Sequence, residues 1–211
     1  MSRLRGRDSG ILLKWVLGLD ITLSEFNPVN VAGLSYIPLP RKLAASEAVL
    51  NMKTKDQECF KHSVTRFLNP VKVHGERVTP LLREQAKELN WTGVEFPTPL
   101  VGSYISNFEQ NNNMGVFLIG FEKGEYVPLR LPGDEYDKVV DLLFVRDENG
   151  NSHYACIKNM SWFISSSRTK RGHKTYFCRY CLSYFGTESI WEEHTRLCSK
   201  HEFTKVEMPE K

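Results

Sequence analysis

The chain has 211 residues, 41% of them hydrophobic and 25% charged, with a formal net charge of +3, a composition that suits one buried core plus an appendage. The longest apolar stretch, residues 11–19, is interrupted by Lys14 and falls short of the ~20 residues a bilayer-spanning helix needs, so no membrane partner is expected. Residues 166–211 hold nine Lys/Arg against six Asp/Glu, leaving nineteen of each before them. A neutral body with a mildly basic tail argues against a dedicated nucleic-acid binder.

Arg3, Arg5 and Arg7 imitate the start of a signal peptide, but Asp8, Lys14 and Asp20 interrupt it and no small-residue cleavage site follows. The expected location is therefore intracellular, with residues 1–18 as an arm or linker, or the cut edge of a longer protein. Residues 17–23 alternate enough for a strand, and Asn27-Pro28 ends it. Tyr36-Ile37-Pro38-Leu39-Pro40 must be extended, since each proline biases its predecessor away from helix. Residues 48–52 form a short apolar strand candidate.

Residues 56–68 follow, with Phe60, Val64, Phe67 and Leu68 on one helical stripe and Asn69-Pro70 as a stop. Taking Asp56 as N-cap puts Cys59 at the third helical position, where free backbone amides and the helix dipole favour a thiolate. Packing stands beside that reading, because unpaired cysteines are among the most buried residues. His62 lies three residues on, within reach of the same face, and reads as a solvated neighbour.

Thr79-Pro80 marks a second helix by cap and first-turn proline, with Leu81, Leu82, Gln85, Ala86 and Leu89 on one face. Phe96-Pro97-Thr98-Pro99 is a rigid spacer, and residues 103–110 form a shorter helix ended by three asparagines. From Met114 the pattern turns to strands at 116–119, 126–131 and 139–145. Residues 146–152, centred on Asn149-Gly150, make a turn before a partner strand at 154–157 that His153 opens. Cys156 alternates away from His153 and reads as core. Helices followed by an antiparallel meander predict an α+β domain over residues 19–165.

After a basic linker at 166–176, carrying Arg168, Lys170, Arg171 and Lys174, comes Cys178-x2-Cys181-x12-His194-x3-Cys198. That spacing, with Phe185 and Trp191 at packing positions, matches a small ββα zinc finger over residues 177–201, ahead of a charged tail at 202–211. So short a unit cannot bury enough apolar surface to fold alone, and one structural zinc ion, held tetrahedrally by sulfur and imidazole, supplies the missing free energy. Its base-reading positions would fall on Thr187, Ile190 and Glu193, none of them a base-reading type. A structural or protein-binding role is the expectation, with weak non-specific phosphate affinity from the linker as the nucleic-acid alternative.

The succession Leu19-Asp20-Ile21, Asn27-Pro28, Tyr36 to Pro40, Cys59-Phe60, Phe96-Pro97, Asp141-Leu142-Leu143, His153-Tyr154 and Ile157-Lys158-Asn159, closed by the finger, resembles open reading frames of Polinton or Maverick mobile elements. In these a similar segment lies upstream of a protein-primed B-family DNA polymerase, so the resemblance implies an accessory module of such a polymerase. Asp56 to Phe60 together with His153-Tyr154 is also similar to papain-like cysteine peptidases of the ovarian-tumour deubiquitinase type. That resemblance implies a papain-like helix packed on an antiparallel sheet, and a peptidase acting on proteins, ubiquitin conjugates among them. Cys59 would be the nucleophile and His153 the base, and backbone amides from Asp56 onward would form the oxyanion hole. The chain departs from the pattern at Ala155, where an orienting Asp or Asn often stands. Asn151, two residues before His153, is then the first candidate for the third role beside its ordinary reading as a turn residue, ahead of Asp141 and Asn159, which lie toward the far end of the strand.

Overall fold

The computed structural model describes residues 36–45, 47–122, 125–133, 136–147, 150–168, 175–179 and 183–198. The expected arm at 1–18, the strand at 17–23, most of the basic linker and the tail at 202–211 lie outside the described residues. In chain order the elements are α1 (Arg41–Ala45), β1 (Val49–Leu50), α2 (Cys59–Leu68), α3 (Pro80–Lys87), α4 (Tyr104–Asn112), β2 (Gly115–Glu122), β3 (Glu125–Arg130), β4 (Val139–Arg146), β5 (Ser152–Ile157), α5 (Met160–Arg168), β6 (Tyr176–Phe177), β7 (Tyr184–Phe185) and α6 (Glu188–Cys198).

Helices precede strands as expected, and the class is α+β. The sheet is not the antiparallel meander of the sequence reading, however. Its five strands run in the order β1-β5-β4-β2-β3, and β2 pairs with β4 in parallel, Val116 opposite Val140 through Phe121 opposite Val145. Composition explains the order. β4 is buried along most of its length and β2 is apolar on both faces, so both belong in the middle of a sheet. β3 carries Pro128, which cannot donate to a ladder, and takes the edge. The chain then returns across the start of β2, where a Cβ on Gly115 would lie 2.9 Å from Pro132 and Tyr136.

Strand periodicity sorts the apolar residues into two cores. Val116, Leu118, Val140, Leu142, Phe144 and Tyr154 face α2 and α4, meeting Cys59, Phe60, Val64, Ile105 and Phe108. On the other face Phe117, Ile119, Leu143, Val145, Ala155 and Ile157 meet Leu43 of α1 and Met160, Phe163 and Ile164 of α5. The helix α5, which the sequence reading did not anticipate, runs past the expected domain boundary at 165. Thr79 caps α3 as expected, accepting a hydrogen bond from the Leu82 amide, and α4 ends with Asn113 in the left-handed region at φ 50°.

Candidate functional site

Cys59 is the first residue of α2 rather than the third. Asp56 does not cap the helix but accepts from the Glu58 amide within the preceding turn, and Glu58 takes the N-cap position without a side-chain bond. The helix stripe carries the sulfur into the core beside Tyr154, fully buried. Burial pushes the thiol up to about 11, and hydrogen bonds from the backbone of Tyr154 and Phe60 offset only part of that. Desolvation of the charged form thus outweighs the helix-start amides on which the reactive reading relied.

His153 does not meet that sulfur. It pairs with Val145 across β4 and shares its side of β5 with Ala155, both members of the core on the α5 side, whereas Cys59 packs with Tyr154 on the α2 side. One residue of offset along a strand is one change of face. His153 is buried, its ring edge-on to Tyr36 at 6.4 Å. Among the described residues no hydrogen bond joins Cys59 and His153, so the nucleophile–base pair expected from the sequence is not assembled.

The other candidates for that chemistry have different occupations. Asn151 closes the β4–β5 turn, its amide and side-chain nitrogen donating to the two carboxylate oxygens of Asp147 at 2.8 and 2.7 Å. Asn159 caps α5 by accepting from the Trp162 amide. Asp56 offers a carboxylate, not an oxyanion donor: it meets His62 Nε2 at 3.2 Å and Arg83 at 3.1 Å. Burial opposes its ionisation, but hydrogen bonds from His62, the Glu58 amide and Arg83 outweigh it and hold its pKa below the usual carboxylate range. Asp56, Glu58 and His62 could share an ion, yet Arg83 and Lys61 already neutralise the two carboxylates.

The C-terminal unit brings three of its four expected ligand residues together. β6 and β7 form an antiparallel pair, Tyr176 opposite Phe185, and α6 closes over them. Sulfur atoms of Cys178 and Cys198 and an imidazole nitrogen of His194 all lie within 4.8 Å of one another. Donors of a tetrahedral site with ~2.3 Å metal–sulfur bonds stand about 3.5–3.8 Å apart, so these three fit a zinc-type ion with little adjustment. Cys181, the fourth expected ligand, lies outside the described residues. Phe185 packs at 4.5 Å from the His194 ring, and Trp191 Nε1 donates to the Phe177 carbonyl at 2.9 Å.

Sequence reasoning missed what this unit rests on. Arg179, beside the first ligand, donates from Nε and an Nη to both carboxylate oxygens of Asp141 in β4, at 2.9 and 2.6 Å. Asp141 is buried, which raises its pKa, and the guanidinium offsets part of the rise. A carboxylate at an alternating position inside an otherwise apolar strand, Val139-Val140-Asp141-Leu142-Leu143, was the available signal, because such a group needs a cation. Compared with family models, curated proteins and solved structures, the chain finds no match. No helix among the described residues is long and apolar enough to cross a membrane.

Proposed function

We propose that this chain is a non-catalytic, zinc-stabilised accessory module that binds protein, in keeping with the expected place of such a segment beside a mobile-element polymerase. The observation that carries it is the convergence of three metal donors in a unit too small to fold otherwise. The residues offered for peptidase chemistry, by contrast, point to opposite faces of one sheet. Zinc would be held by Cys178, His194 and Cys198, with Cys181 as the fourth ligand of the motif. Its chemistry is structural: it binds two strands and a helix that bury little else.

Protein is favoured over nucleic acid by what α6 presents. α6 exposes Ile190 and Leu197, 44% and 55%, on one stripe bordered by Glu193, and its remaining exposed charges are Glu188, Glu192 and a single cation, Arg196. Acidic groups repel phosphate, and Arg179 is already committed to Asp141. Titration with cobalt(II) tests the reading. One equivalent should give the ligand-field and thiolate charge-transfer bands of a tetrahedral site, and Cys178→Ser should abolish them. Absence of those bands, or rapid labelling of Cys59 by a ubiquitin-derived electrophile, would overturn it.

A further inference from the structure

Three contacts, at residues 175, 177 and 179 in and beside β6, join the C-terminal unit to the main domain. The Thr175 amide donates to Ser161 Oγ of α5 at 2.9 Å. The Phe177 ring lies 5.9 Å from that of Phe117 in β2. Arg179 grips Asp141, whose side chain is 6% exposed against 32% for the guanidinium. The residues between them face the other way: Tyr176 stacks near Trp191 of α6, with centroids 6.0 Å apart, and Cys178 supplies a metal donor. Phe177 and Arg179 thus carry their side chains to the main sheet, while Tyr176 and Cys178 turn theirs to α6 and the other metal donors; β6 itself is Tyr176–Phe177, and Arg179 lies in the turn that follows it.

We propose that the Arg179–Asp141 pair makes metal binding and docking a single linked equilibrium, with Asp141 as a positioning residue for a metal site to which it contributes no ligand. The inference rests on the zinc reading above. Arg179 and Cys178 are adjacent in the chain, so fixing either one restrains the backbone that carries the other. Ions that bind only the docked arrangement stabilise it, and by reciprocity docking raises the affinity for the ion. Losing the metal would free β6 and uncover the apolar seam formed by Phe117, Ile119, Phe163 and Phe177. It would also leave the Asp141 carboxylate buried without its cation. Groups hydrogen-bonded directly to metal ligands change metal affinity by about 10- to 100-fold, and a pair that holds the residue beside a ligand acts at the lower end of that range.

The experiment uses the full chain, with cobalt(II) binding competed by a chelator of known affinity, and hydrogen exchange followed across β2 and α5 in metal-loaded and metal-free protein. Asp141→Asn, which keeps volume, and Arg179→Gln, which acts from the other side, should each weaken cobalt binding by about 10-fold. The double variant should be no weaker than either alone, and metal should protect β2 and α5 in the wild type but far less in the variants. Equal affinity in all four proteins, or exchange in β2 and α5 indifferent to metal, would overturn the linkage while leaving the zinc reading intact. Failure of the wild type to bind cobalt would overturn both.

Discussion

Cys59 and Cys178 are both fully or almost fully buried, yet the regions around them differ in what they lack. Cys59 lies among Phe60, Val64, Phe108, Leu142 and Tyr154, a core with ample apolar surface, where a thiol is one more small hydrophobic group. Around Cys178, Phe185 is the one other buried apolar side chain of the C-terminal unit among the described residues, and α6 buries none of its residues. What differs is the supply of other stabilising contacts. Where apolar burial suffices, a cysteine packs; where it does not, cysteines and a histidine gather, and under the proposed reading a metal would complete the fold.

The largest effect that would sharpen this contrast is chelation. Structural zinc contributes about 10–16 kcal/mol to small metal-folded units, so removing it should unfold β6, β7 and α6. The α2 face of the sheet, far from the three donors, should remain folded, as judged by hydrogen exchange in α2. Collapse of both regions together would break the comparison.

Truncation of the apolar core comes next. Phe60 is buried against Phe108, Tyr154 and Trp91, with ring centroids 5.8, 5.2 and 6.2 Å away. Phe60→Ala should cost about 3–5 kcal/mol of stability, measured by denaturant unfolding of the metal-loaded protein. Cobalt affinity should change far less, since no Phe60 contact reaches the C-terminal unit.

The smallest effect is expected at Cys59 itself. Its folded pKa is raised to about 11 by burial, so the folded protein keeps its thiol proton over a range in which the unfolded chain has lost it. The stabilisation is complete below the ordinary thiol pKa and declines as pH rises from there toward 11. Alkylation of Cys59 should therefore be slow in the folded protein up to that range and become fast on unfolding. Cys59→Ala should cost about 1 kcal/mol without altering metal binding. Fast alkylation near neutral pH, lost in His153→Ala, would show a wet, paired thiolate and contradict the packing described here.

The legibility of these two regions in the sequence follows the range of the interactions that make them. Caps, turns and helical stripes arise between neighbours, so Thr79-Pro80 announced α3 and the asparagines marked the end of α4. The metal donors are legible for the same reason, since Cys178, His194 and Cys198 lie within one short unit whose spacing sets their geometry. His153 shows the opposite case. Its place at the start of a strand was read correctly, but whether it met Cys59 depended on which face of β5 received α2, and a shift of one residue reverses that.

Residue by residue, the chain alone therefore indicated the α+β class, the places of α2, α3, α4 and the main strands, and which donors gather at the C-terminal unit. Only tertiary structure decided that β2 lies parallel to β4, that Cys59 is sealed under Tyr154, and that Arg179 reaches Asp141 across 38 residues of sequence. The physical reason is that burial and ion pairing depend on which surfaces meet. Local propensity fixes what each segment is, while the competition among apolar faces for the middle of the sheet fixes what each segment touches.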